Sequence, residues 1–343
     1  MAEPRIGIVG IPGKWSTETL ADAAEKHTGF RLVIDMGRVE LDLENQRLLF
    51  EDNDLCQLDA LIVKKISAEY SPNTLDRLEL LRVAEHAGVR VFSGAENMLR
   101  LIDRLSCTVT LRNAGIPMPD TRVTEDVDAA MRAVRDFGSA VFKPLFSTKA
   151  RGMCIIDAEQ SDADMASAIG EFQRSNPMMY IQRKLDLSGR DLGMVFLGGE
   201  YLGTYARVSQ DDSWNTTINS GGRYEGHTPP QEIIDLAYRA QAPFGMDFTT
   251  VDVALTADGP IVFEVSAFGG FRGALEGAGI DAAGSYTDYV LAKLKRPWAN
   301  PKASKPSPSP CMTARGCATR RSIWRSANAS CACAPIRPSI SPN

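Results

Sequence analysis

One stretch, FTTVDVALTADGPIVFEVS over residues 248–266, limits the fold more than any other. Two apolar, β-branched runs flank an Ala-Asp-Gly turn, the pattern of an antiparallel hairpin. Each run is interrupted by one acid, Asp252 in the first and Glu264 in the second. With the turn centred near Ala257 and Asp258, these acids lie opposite each other on adjacent strands. A carboxylate on a half-buried strand is costly unless it is paired or bound to metal. Two readings are open: a hard cation such as Mg²⁺ held together with nucleotide phosphates, or ion pairing with an arginine such as Arg207 or Arg272.

A second stretch, AVFKPLFSTKARGMCII over residues 140–156, weighs on that choice. A strand-like run ends in Lys143, breaks into a loop holding Ser147, Thr148, Lys149, Arg151 and Gly152, and resumes as a second apolar run. Alone, it reads as a hairpin with a solvated basic turn or as a cradle for phosphates. Set against a pair of facing carboxylates, it supplies the positive charge that a triphosphate needs, while the acids supply the metal.

Around these two stretches the chain is organised in layers. The first ninety or so residues alternate strand-like and helix-like runs, which predicts a small α/β domain over 1–94 with a mainly parallel sheet. The loop GIPGKWS fails the P-loop template, with Ile8 where the first Gly is needed and Trp15 where Ser or Thr is needed; it reads as a strand-to-helix turn with Ser16 as N-cap. Residues 95–114 read as a single helix stopped by Gly115 and Pro117. A compact α+β unit is expected over 95–184, and a strand-rich unit with a closing helix near 280–295 over 185–297. WNTTINSGG, residues 214–222, reads as a loop. From 298 to 343 the chain is rich in Ser, Pro, Ala and Arg and reads as a disordered basic tail.

Charge and cysteine content exclude several functions. The net charge of −5 hides a split: residues 300–343 hold seven Lys or Arg and no acid, leaving 31 basic against 43 acidic residues in the remainder, a body of −12. Such a surface repels nucleic acid. No apolar run approaches the ~20 residues needed to span a bilayer, and the start lacks the layout of a secretory signal, so neither nucleic acid nor membrane is an expected partner and the cytoplasm is the expected location. Cys56, Cys107 and Cys154 read as reduced core residues, and the four tail cysteines match no zinc spacing. His27, His86 and His227 have no neighbouring pattern that suggests a nucleophile or a metal site. Lys64 and Lys65, at the end of LIVKKI, read as a solvated strand end, with contact to a substrate carboxylate as the alternative.

In the order Lys143, basic loop, YIQRKL, Asp191, VDV and FEVSA, the sequence resembles the ATP-grasp superfamily, and within it the RimK-like carboxylate–amine ligases, over about residues 59–295. EVSAFGGFRG and DRLSCTVTLRNAGIPMP also resemble the ATP-grasp member of the GAK gene group. The resemblance implies an α+β ATP-grasp fold, two subdomains gripping ATP, behind the small N-terminal domain. It implies that Arg104, Lys143, Ser147, Thr148, Lys149, Gly152 and Asn219 serve the phosphates. Gln182, Arg183, Lys184 and Leu185 would line the adenine, and Asp191 would meet nucleotide or ribose. Asp252, Glu264 and Ser266 would hold Mg²⁺ or Mn²⁺, and Lys143, Arg207 and Arg272 form the candidate catalytic set.

The implied reaction is formation of an amide through an acyl phosphate, with release of ADP and phosphate. Its partners would be a small-molecule or protein carboxylate and an amine such as an amino acid, and relatives are often homo-oligomers. Three departures stand out: Ser266 replaces an asparagine, Arg104 replaces a lysine, and Gly193 stands where arginine is frequent. They motivate an alternative, a regulatory or scaffold protein that binds nucleotide without ligation.

Overall fold

The computed structural model describes residues 3–147, 151–187, 189–209 and 222–297. The first layer is a parallel sheet in the order β2-β1-β6-β7, with β1 Ile6–Val9, β2 Val33–Ile34, β6 Ala60–Val63 and β7 Arg90–Phe92. Helices α1 (Trp15–Thr28) and α2 (Asn73–Ala87) make the crossovers. Strands covered on both faces read as unbroken apolar runs, and every residue of β1 and β6 is buried. Ser16 is not the N-cap: α1 starts one residue earlier, and Thr17 Oγ1 and Glu18 Oε1 accept from the turn amides of Ile11 and Gly13 instead. A meander of β3 (Glu40–Asp42), β4 (Arg47–Phe50) and β5 (Asn53–Asp54), which the sequence reading did not draw, lies between β2 and β6 in the chain.

The helix expected over 95–114 is two, α3 (Ala95–Ile102) and α4 (Arg104–Asn113). Asp103 leaves helical backbone and caps the second, accepting from the amides of Leu105 and Ser106; a short acid that competes for backbone amides favours a cap over a helix interior. The break makes Arg104 the first residue of a new helix, aimed at the next layer.

That layer is an antiparallel sheet, β10-β9-β11-β8, built from β8 (Thr121–Thr124), β9 (Ser139–Lys143), β10 (Cys154–Asp157) and β11 (Met179–Arg183). Helices α5 (Val127–Phe137) and α6 (Asp162–Ser175) close its core with Val134, Met165 and Ile169 against Phe142, Ile156 and Ile181. The Lys143 stretch is thus a hairpin, pairing Cys154 with Phe142.

The last sheet runs β14-β13-β12-β15-β16, all antiparallel: β12 Arg190–Leu197, β13 Glu200–Val208, β14 Arg223–Gly226, β15 Phe248–Thr256 and β16 Gly259–Ser266. Asp252 pairs with Glu264 across the turn, as its position requires; a bulge after Asp252 then shifts the register, so that Val253 pairs with Val262. Leu192, Met194, Val251 and Val265 share a core with Ile233, Leu236 and Ala240 of α7 (Gln231–Gln241). The opposite face carries Val195 and Tyr205, which share a second core with α8 (Phe271–Ala278), α9 (Ala282–Leu294) and Ile6 and Ile8 of the first sheet. Among the described residues no helix is long and apolar enough to cross a membrane.

Candidate functional site

Strand periodicity sets the first half of the site. Side chains two residues apart share a face, and the register puts Asp191 beside Arg207, Gly193 beside Tyr205 and Asp252, and Asp252 beside Glu264. All lie on the face opposite α7. Arg207 donates through Nε to both Asp191 oxygens, at 3.1 and 3.0 Å, and its Nη2 pairs with Asp191 and, at 3.0 Å, with Asp252. The arginine option for Asp252 is therefore realised here. Burial pushes the Asp252 carboxyl up to about 7; Arg207 opposes this, and the nearby Asp191 and Glu264 charges add to it. For the Arg207 guanidinium, burial is outweighed by Asp252 and Asp191, which drive it well above its ordinary value.

The second half comes from the hairpin sheet. Lys143, the last residue of β9, donates to Gln182 Oε1 at 2.5 Å and lies 5.2 Å from the centre of the Phe263 ring, one residue before Glu264. Gln182 is buried, its amide donating to Thr121 Oγ1 and Tyr180 OH. Burial pushes the Lys143 ammonium down to about 7, with Arg104 adding to the effect and Glu264 opposing it. Arg104 joins the halves: its amide and Nε donate to the carbonyls of Leu145 and Pro144, and its Nη1 reaches Glu264 Oε2 at 3.3 Å. Lys143, Arg104, Glu264, Asp252 and Arg207 thus form one connected patch.

Ser147 Oγ is buried without a partner and borders a small cavity shared with Tyr70, Arg104, Cys107, Phe263 and Glu264. An orphaned hydroxyl in a cavity lined by Arg104 and Glu264 fits the outer phosphates of a nucleotide. Gly152 holds φ +70, which L side chains disfavour, and neighbouring Arg151 donates to Glu69 Oε1 at 2.7 Å, tying the loop to the first layer. Ser266 lies two residues beyond Glu264, and its Oγ accepts from the Phe268 amide. Among the described residues no three Asp, Glu, His or Cys side chains form a metal cage. Mg²⁺, which keeps waters and takes phosphate oxygens, fits one or two carboxylates of this kind.

Other sequence candidates fall elsewhere. Arg183 and Lys184 are exposed, Arg183 pairing with Asp120 at 3.0 Å, and Leu185 is half-buried beyond β11. Asp191, assigned by the resemblance to nucleotide, is tied to Arg207. Arg272 is not brought to the patch: it is exposed on α8, near Glu276 at 3.7 Å and stacked 5.2 Å from the centre of the Trp15 ring. Thr148, Lys149 and Asn219 lie outside the described residues. Sequence reasoning missed Tyr70 and Tyr205. The latter explains Gly193: a Cβ there would sit 2.3 Å from the Tyr205 ring, so the tyrosine fills the room an arginine side chain would need.

Comparisons with known proteins identify the family and the fold. Residues 102–290, more than half of the chain, match the RimK-like ATP-grasp domain. A tetrahydromethanopterin:alpha-L-glutamate ligase of Methanosarcina acetivorans is 26% identical over 323 residues, covering 85% of this chain and 98% of that protein. Among solved structures, the RimK domain ATP-grasp protein of Sphaerobacter thermophilus superposes with a TM-score of 0.63 at 23% identity, covering 84% of this chain and 99% of that one. The ATP-grasp ligase PsnB bound to a minimal precursor gives 0.67 at 20% identity, covering 85% and 99%.

Proposed function

Because the chain belongs to the RimK-like ATP-grasp family, we propose that it is an ATP-dependent ligase that joins a carboxylate to an amine. Bound with Mg²⁺, ATP supplies the phosphoryl group that turns a hydroxide-like leaving group into phosphate. A carboxylate oxygen bonds to the γ-phosphorus as the bond to ADP breaks; the amine nitrogen then bonds to the acyl carbon as phosphate departs with that oxygen, and the amine proton passes to solvent base. The protein's part is positioning and charge. Lys143, Arg104 and Ser147 face the phosphates, while Asp252, Glu264 and Ser266 hold the metal. Asp191 holds Arg207 in orientation toward the transferring group. Among the described residues, Cys56, Cys107 and Cys154 are unpaired, which suits a reducing cytoplasm.

One observation carries the reading: Arg104 contacts both the carbonyls that follow Lys143 and the carboxylate of Glu264, so cations and acids face one cleft. Since relatives are named as alpha-L-glutamate ligases, amino acids are the first amines to test. The full chain with Mg²⁺-ATP, a carboxylate panel and amino acids is expected to release ADP only when a matching acid and amine are present. Replacing Glu264→Gln should lower turnover by about 10²-fold or more. ADP release indifferent to every addition, or wild-type turnover in the Glu264→Gln protein, refutes the proposal. Tight ATP binding with no turnover across the panel would favour the scaffold reading.

A further inference from the structure

Lys64 and Lys65 follow β6 at the carboxyl edge of the parallel sheet, the edge at which open α/β sheets receive ligands. A solvated strand end is one of two expectations for them, and it does not hold for Lys64, which is 8% exposed. Its ammonium donates to the Gly269 carbonyl at 2.9 Å and lies 4.4 Å from the centre of the Phe271 ring. No carboxylate among the described residues pairs with it. Beside it, Lys65 donates to Tyr70 OH at 2.9 Å and lies 5.3 Å from the Phe268 ring. Both ammonium groups therefore meet the segment that leaves β16 directly after Glu264 and Ser266. Tyr70 in turn borders the small cavity that holds Glu264 and Ser147.

A buried ammonium without a counter-ion is costly, and one carbonyl with one aromatic face offsets part of that cost. A second cation next to it adds repulsion; burial first and Lys65 second push Lys64 down to about 7. Neither feature serves the folded chain alone. Both are relieved when an anion docks. Lys143 meets the chain at Phe263, before Glu264, while Lys64 meets it at Gly269, after Ser266, so the two lysines contact different parts of this segment.

We propose that Lys64 and Lys65 form a subsite for a substrate carboxylate other than the one that is activated. The acid or the amine substrate therefore carries a second carboxylate, and this subsite selects for it. The inference rests on the ligase reading for its meaning, and an ATP titration of the same variants keeps the two separable.

The test is thermal unfolding of the full chain, at fixed ionic strength set with chloride, in the presence of glutarate, L-glutamate or inorganic phosphate. Glutarate or L-glutamate is expected to raise the wild-type midpoint by about 2 °C or more at saturating concentration. Phosphate should do no more than chloride. Lys64→Met should be as stable as wild type or more so without added anion, should lose the carboxylate gain, and should keep its Mg²⁺-ATP gain. Lys65→Met, at a more exposed position, should at least halve the carboxylate gain and serves where Lys64→Met does not fold. A larger effect of L-glutamate than of glutarate assigns the subsite to the amine substrate; an equal or smaller effect assigns it to the acid. A gain with phosphate alone, the absence of any carboxylate gain, a gain that survives both substitutions, or a Lys64→Met protein that folds but is clearly less stable without anion overturns the proposal. The last result would make Lys64 a structural tether. Loss of Mg²⁺-ATP binding in wild type would instead strike the ligase reading and leave the anion result standing.

Discussion

On β13 a half-buried arginine is held by two carboxylates, whereas beyond β6 and at the end of β9 two lysines have neutral partners. Arg207 lies between Asp191 and Asp252; Lys143 meets a glutamine amide and a ring, and Lys64 a carbonyl and a ring. The guanidinium's planar fork suits two acids at once, while a lysine ammonium is a point charge whose proton affinity drops readily on burial. The difference separates charge already balanced within the fold from charge held ready for an incoming anion. It also marks the lysines as docking points for an incoming anion.

Removing a cation from each region tests the contrast most strongly. Arg207→Ala leaves Asp191 and Asp252 facing each other in a buried setting, a loss of about 3–5 kcal/mol when one partner of a buried pair is deleted. Lys143→Met removes a cation that no acid holds tightly and keeps the chain's length and apolar stem, so stability should stay within about 1 kcal/mol of wild type while Mg²⁺-ATP binding weakens. Urea titrations of both proteins check this. Equal destabilisation by the two substitutions would erase the distinction drawn here.

Gly193 offers a smaller perturbation in the same sheet. Its absent side chain is filled by the Tyr205 ring, which also packs on Gly273. Gly193→Arg must displace that ring and should cost about 1–3 kcal/mol, whereas Gly193→Arg combined with Tyr205→Ala should recover part of that loss. No recovery in the double variant, read by thermal midpoint, would mean that Tyr205 is not what keeps position 193 small.

How much of this was legible depends on how local each cause is. The Asp252 and Glu264 pairing was readable because a tight turn fixes register along a single hairpin. The Lys143 hairpin was readable because two apolar runs flank one polar, glycine-containing loop. The break at Asp103 was not, since an acid inside a helical pattern reads as surface charge until its cap is seen. Helix α8 was hidden because FRGALEGA is rich in glycine, and with it went the placement of Arg272 on an exposed face. The burial of Lys64 and the fit of Tyr205 over Gly193 arise between segments far apart in the chain, where periodicity carries no signal.

A last test of the contrast concerns pH. Burial, the Arg104 charge next, lowers the Lys143 ammonium from 10.5 to about 7 in the folded protein, while the unfolded chain keeps the ordinary lysine value. Between these two values the unfolded state therefore binds more protons than the native one. Stability rises with pH wherever that holds, so this lysine contributes a gain as pH climbs from about 7 toward 10.5 and nothing further above it. Lys143→Met should flatten that part of the ligand-free profile relative to wild type, and Arg207→Lys, which keeps a cation between two acids, should not. Mg²⁺-ATP, by giving the ammonium a counter-charge, should raise its proton affinity and move the rise to higher pH. A ligand-free profile identical in wild type and Lys143→Met between pH 7 and 10 would show that Lys143 is solvated and not held in reserve for an anion.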